Sequence, residues 1–377
     1  MKKSITAILI AAAMMPNCAS AASMDDLRIS GFGSIGVGTA SNNVGYAGYD
    51  EEVDFKQDTL VGLQFDFNIN DKAKVTTQLV ANGRYDFEPA IEVAYLSYDF
   101  DRFTVRGGKM RTPFYMYSDY LDVGYAYPML RPSQEIYENL IISNYTGVDL
   151  LIPITIGDTT LQLQAFTGVS QVEERDSTMG EKGDPTFGLQ IDINKVVGAT
   201  VHWYIDDWTL RYAYAQGETG ETGVIEMDSM VANKDATFSS VGLQYNDGSL
   251  LVNLEAMSMK LDGVFHDNEG VSGLLGYQIG NFMPYISASW INTTDDEERE
   301  NTGALQRYER LSYSVGNRWD FAQNMALKID VTYVDYRDTY GGYGANIEYQ
   351  NIGGNIVPVG ARYDDTFVYS MSVDFVF

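Results

Sequence analysis

The side chains that most often carry catalysis are scarce in this chain: two histidines and one cysteine in 377 residues. Cys18 lies in the N-terminal leader described below, so a thiol nucleophile, a thiolate metal site and a disulfide framework are all excluded from the mature chain. His202 sits beside Trp203 on an expected strand, close to the turn at Asp206-Asp207, a position typical of a membrane-interface girdle. His266 stands in Phe265-His266-Asp267, and neighbours on an extended chain point to opposite sides, so these two cannot form a dyad. Hydrolytic catalysis would need a histidine beside Ser or Asp. No nucleophile motif, phosphate-cradling glycine loop or metal-ligand spacing is present. The chain is expected not to be an enzyme, and no cofactor or metal is expected. What remains is electrostatic chemistry, carried by charges that recur at alternate positions.

That alternation defines the elements. Near 73–84, Lys74, Thr76, Gln78, Asn82 and Arg84 share one face, and Val75, Leu79 and Ala81 share the other. Arg310, Ser312, Ser314 and Arg318 oppose Leu311, Tyr313, Val315 and Trp319, and Lys328, Asp330 and Thr332 oppose Leu327, Ile329, Val331 and Tyr333. The chain ends the same way, with Phe367, Tyr369, Met371, Val373, Phe375 and Phe377 on one side and Ser370, Ser372 and Asp374 on the other. A period of two over about ten residues is the pattern of a transmembrane strand, with lipid on one face and water on the other.

Strands are expected near 27–38, 58–69, 73–84, 91–100, 102–110, 143–156, 159–170, 187–205, 208–216, 238–246, 250–260, 271–280, 283–292, 307–320, 325–336 and 366–377. Short connections rich in Asn, Asp and Gly alternate with long ones, including 39–57, 111–142, 171–186, 293–306 and 337–365. The predicted fold is all-β: a transmembrane antiparallel β-barrel of about 16 strands, with short periplasmic turns and long outer loops. A barrel of that width is not filled by its own side chains and leaves an aqueous passage.

Lys2 and Lys3, the apolar run Ile5 to Met15 and the small residues Ala19-Ser20-Ala21 read as a secretory signal peptide, 1–21, leaving 22–377 as a single barrel domain. Losing Lys2 and Lys3 takes the 25 basic residues to about 23 against 52 acidic ones, a net charge near −29. Such acidity argues against nucleic-acid binding, which needs a basic footprint.

The opening LRISGFGSIGVG, the stretch VAYLSYDFDRFTVRGGKM from Val93 to Met110 and the terminal Phe377 resemble the first strand, the fourth and fifth strands and the closing residue of Gram-negative general porins. The resemblance implies a homotrimer of 16-stranded barrels in the outer membrane, among lipid and lipopolysaccharide, passing small hydrophilic solutes by diffusion. It also implies that the loop after the fifth strand, 111–142, folds inward and narrows the pore. In that pattern the loop acids, here Asp119, Asp122, Glu135 and Glu138, face wall bases, here Lys74, Arg84, Lys109, Arg310, Arg318 and Lys328. Arg111 and Arg131 belong to the loop, and the parity of Arg28 and Arg106 is ambiguous. Two other readings stand beside this one: the tyrosines merely wedge the loop against the wall while the acids and bases pair as structural ion pairs, or the tyrosines form a slide for sugar rings.

Acids also gather in outer loops, at Asp50, Glu51, Glu52 and Asp54, at 173–184 and at 295–300. They read as solvated charge, with divalent cations bridging them to lipopolysaccharide phosphates as the sharper alternative. Selectivity follows the charges at the narrowest point rather than the total. Wall bases and loop acids nearly balance, so weak selectivity is expected, leaning to small anions. A pore specific for dicarboxylates, phosphate or oligosaccharides is the alternative.

Overall fold

The computed structural model describes residues 26–43, 46–137, 142–171, 192–221, 232–263, 267–294, 309–337, 347–352, 355–360 and 364–377. The predicted signal peptide lies outside them. The chain runs through β1 (Leu27–Ala40), β2 (Leu60–Asn68), β3 (Ala73–Asn82), β4 (Pro89–Asp99) and β5 (Thr104–Arg111). After a short helix, α1 (Gln134–Tyr137), follow β6 (Asn144–Ile156), β7 (Thr159–Ser170), β8 (Ile193–Ile205), β9 (Trp208–Thr219) and β10 (Asp235–Asn246). Next come β11 (Leu250–Leu261), β12 (Asn268–Tyr277), β13 (Phe282–Thr293), β14 (Glu309–Ala322) and β15 (Met325–Asp335). A hairpin, β16 (Ile347–Ile352) and β17 (Asn355–Gly360), precedes the closing strand β18 (Thr366–Val376).

Sixteen of these strands close a barrel in which each pairs antiparallel with its neighbours, and β18 joins β1 to β15. The sixteen expected strands are all present. The expected strand at 187–205 begins only at Ile193, and 187–191 lie outside the described residues. The hairpin β16–β17 forms a separate two-stranded sheet within the segment expected to be plain loop.

The alternation sorts the faces as its period demands. Ile329, Val331, Tyr313, Val315, Phe367, Tyr369 and Met371 are exposed on the outside, while Asp330, Thr332, Ser312, Ser370 and Ser372 are buried within. Exposed apolar side chains on this scale are a liability in water and the requirement of a lipid-facing wall. Trp203, Trp208, Phe282, Trp319 and Phe321 cluster beside the short turns, where Phe282 stacks on Trp319 at 5.7 Å, and they form an interface girdle.

The seam is sealed at the chain's end. Gly31 and Phe377 exchange two backbone hydrogen bonds of 2.9 Å. The Phe377 ring lies directly over Gly31, in the space a Cβ there would occupy. A glycine on β1 is therefore what lets the terminal aromatic fold across the junction.

Candidate functional site: the lumen and its inward loop

Loop 111–142 leaves β5 and crosses the barrel interior. Two 3-10 turns, Ser118–Tyr120 and Gly124–Ala126, and α1 give it local structure. Many of its apolar residues are withdrawn from water: Phe114, Tyr115, Tyr117, Met129, Leu130 and Ile136 are buried. They pack on lumen-facing residues that the alternation would otherwise have left wet. Phe114 stacks on Phe238 at 4.2 Å, and Tyr117 and Met129 pack with Leu251, Leu274 and Tyr285. The aromatics thus wedge the loop against the wall, from Phe166 on β7 and Ile193 on β8 round to Tyr285 on β13.

Polar bonds fix the loop's course. A backbone segment inside a barrel must satisfy its N–H and C=O groups somewhere. Arg318 donates from Nη1 to the carbonyls of Tyr125 (2.7 Å) and Tyr127 (3.2 Å), with its guanidinium over the Tyr125 ring. Lys328 donates from Nζ to the carbonyls of Gly124 (2.6 Å) and Met129 (2.8 Å), and pairs with Asp374 at 2.8 Å. The Leu130 N–H donates to the Tyr285 hydroxyl (3.2 Å), which donates to Asp330 (2.8 Å).

Glu135, fully buried on α1, accepts from Arg310 Nε and from Ser312, each at 2.7 Å, and from the Tyr46 hydroxyl at 3.2 Å. Arg131 donates to Asp58 and, at 2.8 Å, to Ser370. Tyr49 completes that anchor, donating to Asp58 at 2.6 Å beneath the Arg131 guanidinium. The first outer loop therefore also turns inward, with Tyr46, Ala47 and Tyr49 buried against Val334, Tyr336 and Val368.

Burial pushes the Asp58 carboxyl up, but the Arg131 guanidinium outweighs it and holds the group below the usual carboxylate range. Burial, seconded by Asp119, pushes the Tyr120 hydroxyl up to about 12, so it remains a neutral donor.

The expected site residues therefore divide. Arg310, Arg318 and Lys328 do face inward, yet the loop covers them; their charges hold loop carbonyls and Glu135 rather than facing the acids across water. Arg131 and Glu135 are anchors of the loop itself. Arg111 pairs at the loop's root with Asp122 and, at 3.3 Å, with Glu92. Arg84 donates from Nε to the Gln57 carbonyl at 3.1 Å. Lys109 departs from expectation. Arg106 pairs with Asp149 inside the barrel, and Lys109, three residues on, falls in the opposite set, paired in register with Ala94 and Thr146 among the outward-facing Leu96 and Val148. Lys74, half exposed, faces Asp66 at 3.6 Å, and Asp119 is exposed on the loop. Glu138 lies outside the described residues.

The uncovered part of the lumen runs along β2–β8. There Gln64, Asp66, Lys74, Tyr95, Ser97, Arg106, His202 and Tyr204 keep part of their surface. His202 belongs to this set and not to the girdle; Trp203 takes the outward position, and His202 Nδ1 lies 3.2 Å from the Tyr204 hydroxyl. Residues absent from the expected site are Arg211, Glu255, Asp58 and Asp330, each bonded to the loop or to a group that holds it. Arg211 was signalled by its alternation with Leu210, Tyr212 and Tyr214. Of the outer-loop acids, Asp50 and Asp54 cap their own turns through the N–H groups of Glu52 and Lys56, and 173–184 and 295–300 lie outside the described residues. Among the described residues no group of three or more His, Cys, Asp or Glu is arranged to hold a metal ion.

This architecture, a closed 16-stranded barrel with an inward loop after β5, is the fold of the general outer-membrane porins. Solved structures with it include an anion-selective porin from Comamonas acidovorans (TM-score 0.60, 13% identity, covering 93% of this chain and 99% of that one). OmpF of Salmonella typhi, in complex with daunomycin, matches with a TM-score of 0.58 and 13% identity over 94% of this chain and 100% of that one. The trimer form of OmpT, an outer membrane protein of Vibrio cholerae, matches with a TM-score of 0.55 and 12% identity over 94% and 100%. No protein-family model and no curated protein matches the chain.

Proposed function

We propose that the protein is a passive diffusion channel for small hydrophilic solutes in the bacterial outer membrane, without enzymatic activity, working as a homotrimer among lipid and lipopolysaccharide. One observation carries the reading: the inward loop is bonded chiefly to β9–β15 and β18, and polar residues of β2–β5 and β8, among them Gln64, Lys74, Ser97 and His202, stay partly uncovered. Water and solutes pass between that wall and the loop edge. Catalysis gains no support from His202, whose hydrogen-bond neighbour is the Tyr204 hydroxyl and not a carboxylate or serine.

Selectivity in this reading is weak. The lean to anions expected from the wall bases loses its carriers, because Arg310, Arg318 and Lys328 are covered and bonded. Among the described residues the charges on that side are the pairs Lys74–Asp66 and Arg106–Asp149, Arg28 in register with Asp66, and the exposed Asp119 on the loop. With the Asp119 carboxylate exposed on the loop edge and the bases of β14 and β15 covered, the sign moves to a slight preference for cations.

The test is single-channel conductance of the purified protein in planar bilayers, with the reversal potential in a salt gradient. Steady ohmic steps with a small cation-directed reversal potential support the proposal. No conductance, or a strong anion preference, refutes it.

A further inference from the structure

Three lumen-facing positions form one row across β9, β10 and β11. Arg211 pairs in register with Gly242, and Gly242 with Glu255. Adjacent strands lie about 4.8 Å apart, so the backbones that carry the cation and the anion stand about 10 Å apart across a glycine. Both are buried, and among the described residues neither makes an ion pair. Arg211 leaves Nε and Nη2 without hydrogen-bond partners among the described groups. Asp119 on the loop edge acts on Arg211 from a distance beside Glu255, yet a buried pair whose heads do not touch is costly unless something between them answers both charges.

The loop supplies that answer with one peptide group. Arg211 Nη1 donates to the carbonyl of Tyr115, and the N–H of Met116 donates to Glu255 Oε2 at 3.0 Å. These are the two ends of the same amide, its carbonyl toward the guanidinium and its N–H toward the carboxylate, so the dipole is aligned with the field of the pair. Glu255 also accepts from the Tyr137 hydroxyl at 2.7 Å, at the far limb of the loop. Gly242 makes the notch between the charges: a Cβ there would lie 2.8 Å from Met116 Sδ.

We propose that Arg211, Gly242 and Glu255 form a clamp for the Tyr115–Met116 peptide, and that this clamp positions the constriction loop and so sets the size and charge of the passage. This rests on the channel reading above for its consequence, though not for its geometry. Arg211 and Glu255 are positioning residues: they act through the loop. If either is neutralised, the shared peptide loses one partner and the loop's first limb lifts. The charge that remains then faces the lumen. Both single variants therefore enlarge the passage, but they move selectivity in opposite directions.

The experiment uses a mature chain carrying Met116→Cys in a background without Cys18, reconstituted in vesicles. The rate at which a water-soluble maleimide labels position 116 reads the loop directly, and single-channel current reads the passage. Arg211→Met should speed labelling by about ten- to a hundredfold, the range of one charge-assisted hydrogen bond, and Glu255→Gln, whose amide oxygen still accepts from the Met116 N–H, by about tenfold. Glu255→Gln should shift the reversal potential toward anions and Arg211→Met toward cations. Arg211→Lys, which keeps the charge, should label more slowly than Arg211→Met. The double variant should label no faster than the faster single one, because both act on the same peptide, and should show neither selectivity shift.

Circular dichroism establishes that each variant is a folded barrel. Folded variants that label at the parent's rate, or a double variant whose acceleration is the product of the two singles, overturn the clamp. Because labelling does not depend on current, a parent that conducts nothing would sink the channel reading while labelling still decides the clamp.

Discussion

Removing Arg310 tests how the loop is held. The Glu135 carboxylate is fully buried, Arg310 is 5% exposed, and Nε approaches Oε1 at 2.7 Å. Ser312 and Tyr46 donate to the same carboxylate, but neither brings a charge. Arg310→Met keeps most of the packing volume and leaves that carboxylate buried without its cation. Breaking such a pair from one side costs about 3–5 kcal/mol, because the desolvated charge stays behind. The barrel ladders are untouched, so the cost falls on the docking of α1.

At about 1.4 kcal/mol per decade, the opening equilibrium of α1 should rise by about two to nearly four decades. Hydrogen exchange at the amides of Ile136 and Tyr137, which donate to the Ser133 carbonyl, should accelerate accordingly, while the amides of β14 and β15 keep their protection. Lys74→Met is the control: its pair with Asp66 is long and its side chain 44% exposed, so the change should stay within about 1 kcal/mol. Unchanged exchange at α1 in Arg310→Met would refute the reasoning, since the loop would then be held without its buried pair.

Other expectations follow from the same geometry. Ile136→Ala removes a fully buried side chain beneath the loop and should destabilise its docking by about 2–5 kcal/mol, read as faster exchange in α1 and noisier single-channel current. Asp58 has its pKa depressed in the folded state relative to the ordinary 3.8, with Arg131, Arg84 and Tyr49 facing it; its contribution is therefore full above that value and lost as pH falls through the lower folded one. Current noise should rise only below about pH 4, and Asp58→Asn should show the noise already at pH 7. Gly242→Ala should lift Met116 and raise conductance without a selectivity shift, measured in the same bilayers.

The strands were legible because a period of two, one residue in and one residue out, runs through most of each, with register shifts confined to points such as Gln78/Leu79 and Asn194/Val197. Where the loop covers the wall, the pattern blurs for a physical reason. On β11, Leu251, Met257, Met259 and Leu261 face inward together with Asn253 and Glu255, because part of the lumen face is dry under the loop. A lumen face carrying both kinds of residue does not announce which of its polar members matter, so Glu255 passed unnoticed. The parity of Arg106 and Lys109 was obscured by Gly107-Gly108, which carry no side chain to mark a face. Arg310, Arg318 and Lys328 lie on the inward face that their alternation with apolar neighbours marks. What they bind depends on the path of a loop some 30 residues long, and that path is fixed by contacts distant in sequence, such as Lys328 to Gly124.

The account's central claim is that the passage runs along β2–β8 and that the loop seals the opposite wall. Single cysteines at Gln64 and Ser97 on the open side, and at Met257 and Ser289 on the covered side, test it with a charged methanethiosulfonate applied during single-channel recording. Modification at positions 64 and 97 should lower conductance promptly, with no change at 257 and 289. Rapid block from 257 and 289, with 64 and 97 silent, would contradict the account.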